Sequence, residues 1–175
     1  MVIVPSINWG TDNREAEFKL LDKIFSEIVS KHKVPKDKFI IGGLSSGAMI
    51  SLTYAEKATK NPEKFFLIPK GVFALDAPLD QARFYKYCER EIERNIYKPA
   101  VDESIWIKDN WDSLYGGSPD QFPEKYIEAS IFSFGAKDGG NARYLKNMPI
   151  RMYTDLDINW LINERHRDLQ DWNGI

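Results

Sequence analysis

The sequence predicts an α/β fold, because short apolar runs alternate with amphipathic segments along most of the chain. Apolar runs at 38–43 and 71–76 are typical of buried strands, and the segment 46–60 between them has helical character. A strand, helix, strand order of this kind predicts a mostly parallel sheet flanked by helices.

The chain opens with "VIVPSI" (2–7), a β-branched run that predicts a first strand. An amphipathic helix is predicted next, up to Pro35, because apolar residues recur every three or four positions. These residues are Phe18, Leu21, Ile24, Phe25 and Ile28. Asp12 and Glu15 have the spacing of a capping pair at its start.

The second strand is "KFIIGG" (38–43), and the helix 46–60 that follows it is closed by Asn61-Pro62. "GVFALD" (71–76) predicts the third strand and "PIRMYTD" (149–155) the fourth. Between these two strands lies an aromatic-rich insert, residues 77–130, in which we expect two or three short helices.

Composition favours one globular domain over residues 1–175, with 43% apolar and 29% charged residues and a formal charge of −2. There is no basic excess, so we expect no nucleic-acid partner. No apolar run is long enough to cross a bilayer. The single cysteine, Cys88, excludes an internal disulfide, and we expect neither a cofactor nor a metal ion. If Met1 is the native start, the lack of a signal peptide predicts a cytoplasmic protein.

The stretch "FIIGGLSSGAMISL" (39–52) carries the main functional signal. A serine hydroxyl is a poor nucleophile unless it protrudes and a base takes its proton. The predicted strand-to-helix turn would make Ser45 protrude, with Gly43 and Gly47 giving the space for a close approach of strand and helix. The same turn would aim the backbone N–H of Ser46 at a reacting carbonyl oxygen, as part of an oxyanion hole. The alternative is a glycine-rich turn with a capping serine.

The segment "VPKDKFIIGGLSSGA" resembles the helix end, strand and serine turn of the α/β-hydrolase family, in its esterase and peptidase-like members. "YIEASIFSF" and "NARYLKNMPIRMYTDLD" are similar to the segment that leads into the family strand bearing the catalytic acid. This resemblance implies that the four predicted strands are family strands four to seven, and that 77–130 is a lid-like insert after the third strand of this chain. It covers nearly all of the chain but only the middle of the family fold, so we expect a domain incomplete at both ends.

The resemblance implies a catalytic acid after the fourth predicted strand, at Asp155 or Asp157, and we favour Asp157 because it lies in the loop. Capping of the following helix is an equally good interpretation of Asp157. Asp76 is the alternative acid, since some members take theirs from the preceding strand. The family base is a histidine after an eighth strand, which this sequence lacks. His32 and His166 are both expected to be solvated, with His166 the alternative base.

The resulting hypothesis is a serine hydrolase that acts on a small-molecule carboxylic ester or related acyl bond, without its own catalytic histidine. A non-catalytic binding domain that uses the aromatic insert as an interaction surface is the alternative. A flavodoxin-like sheet with a phosphate at the serine turn is a weaker third hypothesis, because no basic residue lies in 39–56.

Strand order adds an expectation about partners. In the family a further strand lies between the counterparts of "VIVPSI" and "KFIIGG", and no candidate for it exists here. Open strand edges are templates for association. We therefore expect these two strands to pair directly, or else self-association or further polypeptide at the open edges.

Overall fold

The computed structural model describes residues 1–6, 14–154 and 157–167 of the chain. Its helices are α1 Arg14–His32, α2 Ser46–Lys60, α3 Gln81–Arg94, α4 Lys98–Tyr115, α5 Pro123–Ala129 and α6 Ile158–Asn163. Its strands are β1 Ile40–Leu44, β2 Gly71–Leu75 and β3 Ile150–Tyr153, and short 3₁₀ segments lie at Lys36–Lys38, Pro62–Lys64 and Lys137–Tyr144.

The three strands form one parallel sheet in the order β1-β2-β3. Leu75 at the end of β2 is aligned with Leu44 of β1 and with Tyr153 of β3, so the three strands end at the same edge. The predicted α/β class with a parallel, helix-flanked sheet is therefore confirmed. Parallel neighbours need a crossover connection, which α2 supplies between β1 and β2.

Helix α2 packs on two sides. Its Ala48 and Leu52 belong to an apolar cluster with Val72 and Ala74 of β2. Its Ile50, Tyr54 and Ala58 belong to a second cluster with α1, whose members there are Phe18, Leu21, Phe25 and Ile28. This double burial fixes the first turn of α2 against the end of β1, where the serine turn lies.

The insert between β2 and β3 is helical, as predicted, and contains α3, α4 and α5. The rings of Tyr85, Tyr115 and Tyr126 are buried together, one from each helix, and Tyr115 and Tyr126 have centroids 4.6 Å apart. Gln81 accepts a hydrogen bond from the Tyr115 hydroxyl at 2.7 Å. Within the ranges given above, no helix is long and apolar enough to cross a membrane.

The predicted strand "VIVPSI" is wrong over residues 2–6, which lie in neither a helix nor a strand. Val2 and Val4 are 90% and 87% exposed, because no described strand pairs with this segment. Among the strands of the described residues, the insert consequently follows the second and not the third. Residue 7 of this run, Asp12 of the predicted capping pair and Asp155 lie outside the described residues.

Candidate functional site

Ser45 occupies a sharp turn between β1, which ends at Leu44, and α2, which begins at Ser46. Its backbone has φ 52° and ψ −117°, a conformation that residues other than glycine seldom adopt. The predicted strand-to-helix turn at Ser45 is therefore confirmed. Such a conformation costs about 1–3 kcal/mol, so the surrounding structure must hold it in place.

Two hydrogen bonds hold the turn. The Ser45 N–H donates to the Leu75 carbonyl at 2.8 Å, and the Ser45 carbonyl accepts from the Met49 N–H at 3.0 Å. The first bond fixes the turn to β2, and the second begins the helical pattern of α2. Ser46 is the first residue of that helix, so its N–H has no carbonyl partner within α2.

The two glycines of the turn differ in what they contribute. A Cβ at Gly43 would lie 2.6 Å from the backbone of Gly47, so the close approach of strand and helix requires glycine there. A Cβ at Gly47 would meet no atom within 4 Å. The space predicted for the turn therefore comes from Gly43, and the expectation that Gly47 adds to it is not met.

Asp76 follows β2 at the same edge of the sheet and also has a positive φ, 46°. Its N–H donates to the Tyr153 carbonyl at 3.0 Å, and its carboxylate accepts from the Thr154 hydroxyl at 2.7 Å. Hydrogen bonds therefore connect the ends of the three strands, because Ser45 bonds to the end of β2 and Asp76 bonds to the end of β3.

A cavity of about 270 Å³ opens at this edge, and both Ser45 and Asp76 line it. Its other walls come from the insert and from the segment after α6. Apart from two prolines and an alanine, the residues that supply them are Phe84, Tyr87, Tyr97, Glu103, Arg165 and Arg167. A serine, a carboxylate and two guanidinium groups therefore share one small cavity.

The two arginines are held by Glu91 of α3, whose side chain is fully buried. Arg165 donates to one carboxylate oxygen of Glu91 at 2.8 Å, and Arg167 donates to the other at 2.9 Å. Arg167 also donates to the Tyr87 hydroxyl. Burial alone would raise the pKa of Glu91, but the hydrogen bond from Arg165 and the charge of Arg167 bring that pKa below its usual value.

Asp157 has a different environment from Ser45. It is the N-cap of α6, and its exposed carboxylate accepts the Trp160 N–H at 2.9 Å. It follows the carboxyl end of β3, as expected, but it does not line the cavity that contains Ser45. The structure therefore has Asp157 in the capping arrangement and brings Asp76 to the serine.

Neither histidine lines this cavity. His32 is exposed at the end of α1, and His166 is exposed with φ 49°. Arg165 and Arg167, on either side of His166 in the chain, both line the cavity. Across the described ranges, no group of three or more histidine, cysteine or acidic side chains is arranged to hold a metal ion.

Sequence reasoning missed Glu91, Arg165 and Arg167. The alternating "RHR" at 165–167 was a weak signal, but its partner on α3 is 74 residues away from Arg165. A search of the chain against family models, curated proteins and solved structures finds no match.

Proposed function

We propose that the chain is a serine hydrolase of the α/β-hydrolase type, acting on a carboxylic ester or related acyl bond. The observation that carries the proposal is Ser45, which is held at φ 52° between a strand and a helix and lines a cavity. A nucleophile needs this protrusion, which a positive-φ serine between a strand and a helix supplies.

Ser45 Oγ would attack the acyl carbon, and the Ser46 N–H would stabilise the oxyanion that forms. The carbon–oxygen bond to the leaving alcohol then breaks, and the alcohol departs with a proton. Water later cleaves the acyl–serine bond and releases the acid. A base must accept the proton of Ser45, and neither His32 nor His166 lines the cavity. We therefore assign the base to a histidine of further polypeptide.

Asp76 is the better candidate to orient that histidine, because it lines the cavity with Ser45. Its hydrogen bond from Thr154 leaves the second carboxylate oxygen for an imidazole N–H. Asp157 could orient the histidine only if its carboxylate gave up the hydrogen bond from the Trp160 N–H that caps α6.

The fold supports the same family. Its three strands are adjacent and parallel in chain order, as expected for counterparts of family strands five, six and seven. The helical insert that follows β2 contributes Phe84, Tyr87 and Tyr97 to the cavity, which is what a lid would do.

The test is covalent modification by a fluorophosphonate probe, with and without added imidazole as a substitute base. We expect modification at Ser45, accelerated by imidazole and abolished in Ser45→Ala. Ser46→Ala is the matched control and should still react, because only its backbone N–H is used. Hydrolysis of p-nitrophenyl acetate by the chain alone should not exceed that of Ser45→Ala, since loss of a triad costs on the order of a million-fold.

The second candidate is a non-catalytic binding domain. It is favoured by Trp106 and Ile105 of the insert, whose apolar side chains are 45% and 41% exposed on α4. No modification of the folded chain, even with imidazole, would support this candidate and contradict the hydrolase. If the chain hydrolyses the ester and Ser45→Ala abolishes this activity, the claim that the base lies outside the chain is contradicted. His166→Ala would then be the next variant.

A further inference from the structure

Arg165 has a hydrogen-bond donor that nothing among the described residues satisfies. Its side chain is only 6% exposed, yet its Nε–H has no hydrogen-bond partner in the described parts of the chain. Leaving such a donor unpaired costs about 1–3 kcal/mol, and more for a charged group. The Nε atom is closed to solvent here, but the side chain of Arg165 lines the cavity that contains Ser45, so a rotation of the guanidinium group would bring this donor to an acceptor bound there.

The ion cluster that contains Arg165 favours an anion as that acceptor, whereas Asp76 and Glu103 add negative charge elsewhere in the lining of the cavity. Two guanidinium groups share one carboxylate, so the cluster of Glu91, Arg165 and Arg167 carries one net positive charge. Both oxygens of Glu91 are already engaged. The two other carboxylates of the cavity, Asp76 and Glu103, form no ion pair with either arginine in the described structure.

We propose that this cavity binds the free carboxylate of a small acyl substrate, with Arg165 Nε–H as a donor and Arg167 as a second cation. This assignment rests on the proposed hydrolase function, which it deepens: the substrate class is a short ester that also carries a carboxylate, such as the half-ester of a dicarboxylic acid. A guanidinium group matches the planar geometry of a carboxylate.

The size of the cavity favours a short substrate. At about 270 Å³ it is smaller than the roughly 300–1,000 Å³ of sites for drug-sized ligands. Its aromatic walls, Phe84 and Tyr97, suit a few methylene groups between the two polar ends. A four- to six-carbon chain is expected to fit, and long-chain acyl groups are not.

Binding is measured on the Ser45→Ala chain by NMR titration, which requires no turnover. The ligands are monomethyl glutarate, which has one carboxylate, and dimethyl glutarate, which has the same carbon chain without charge. We expect saturable shifts of the residues around the cavity with the monoester, and binding of the diester that is weaker by about tenfold or more. Equal binding of the two, or no binding of the monoester, would overturn the inference.

Arg165→Lys keeps the charge and can still pair with Glu91, but it lacks the Nε–H. We expect it to weaken monoester binding by about tenfold or more, whereas Arg143→Lys, on an exposed arginine outside the cavity, should have no effect. The double variant Glu91→Leu/Arg165→Met is a second route, because it removes Arg165 without leaving the buried Glu91 carboxylate unpaired, and Arg167, which is 14% exposed, still has the Tyr87 hydroxyl as an acceptor. It leaves the net charge of the cluster unchanged, and undiminished binding in either folded variant would overturn the inference.

Failure of this inference can be told apart from failure of the hydrolase. Modification of Ser45 by fluorophosphonate without binding of the monoester leaves a serine hydrolase with another substrate. Binding of the monoester that depends on Arg165, without any modification of Ser45, leaves a carboxylate-binding domain.

Discussion

Replacing Glu91 by glutamine should strongly destabilise the chain, because it removes the only carboxylate that pairs with Arg165 and Arg167 in the described structure. Glu91 is fully buried, and Arg165 beside it is 5% exposed. Breaking a buried ion pair by removing one partner costs about 3–5 kcal/mol, since the remaining charge is left uncompensated. That is a large part of the roughly 5–15 kcal/mol by which a domain is stable.

The assay is urea denaturation followed by circular dichroism at pH 7. With a denaturant dependence of about 2 kcal/mol per molar urea, a loss of about 4 kcal/mol lowers the midpoint by about 2 M. Glu93→Gln is the matched control, because Glu93 lies on the same helix but is exposed. It should change stability by less than about 0.5 kcal/mol.

The pH dependence checks the cause. The pKa of Glu91 is lowered in the folded chain, so its carboxylate contributes stability above the pKa of the unfolded chain, about 4.3. That contribution is lost as the pH falls through the folded-state pKa. The difference in the free energy of unfolding between wild type and Glu91→Gln should therefore become smaller below about pH 4. A difference under about 1 kcal/mol at pH 7, or one that does not change with pH, would refute the ion-pair explanation.

Three further predictions concern other parts of the molecule. Burial raises the pKa of Glu56 to about 7. Between pH 4.5 and pH 8 the free energy of unfolding of the wild type should therefore fall by about 3 kcal/mol relative to that of Glu56→Gln. Parallel pH profiles of the two chains would contradict this. Burial raises the pKa of the Cys88 thiol to about 12, so an aromatic disulfide reagent should react at pH 8 only when urea unfolds the chain; rapid reaction of the native chain is the contrary result. The outer edge of β1 is unpaired in the described structure, with Ile40 67% and Leu44 62% exposed. Ile40→Lys should therefore reduce concentration-dependent association in sedimentation velocity and leave the unfolding midpoint unchanged. Identical sedimentation of the two chains would exclude this edge as the site of association.

The helices and paired strands were predictable because their signals are local. The helix predicted at 46–60 matches α2 exactly, and the strand predicted at 71–76 matches β2 to within one residue. The spacing of apolar residues predicts the helix, and a short apolar run between turn residues predicts the strand. The turn at Ser45 was predictable for the same reason, since it joins two such elements.

The strand prediction failed over residues 2–6 for a reason that no local pattern contains. Strand propensity describes how well a residue fits a half-buried, paired surface. Residues 2–6 have the composition of a strand, but no described strand lies beside them, and Val2 and Val4 remain exposed. The direct pairing of "VIVPSI" with "KFIIGG" is therefore not seen over these residues. Self-association or further polypeptide remains the prediction for the open edge of β1.

The cavity itself could not be predicted, because its walls come from segments far apart in the chain. The pairing of β1 with β2 places Asp76 near Ser45, because Ser45 donates a hydrogen bond to Leu75, but the insert and the segment after α6 supply the remaining walls. Asp157 has a local partner, the Trp160 N–H three residues on, which is the arrangement that sequence alone predicts best.

Glu91 connects the insert to the segment after α6. It lies on α3 of the insert, and its two partners lie just after α6, beyond β3. A single buried carboxylate therefore fixes the insert against the segment that supplies both cations of the cavity. If the insert opens to admit a substrate, this ion cluster must either move with it or break, and breaking costs several kcal/mol. Because Glu91 and Arg165 hold each other, we expect opening to occur elsewhere in the insert, where α4 carries Glu103 and its exposed face. The carboxylate-binding wall would then stay in place while the wall formed by α4 moves.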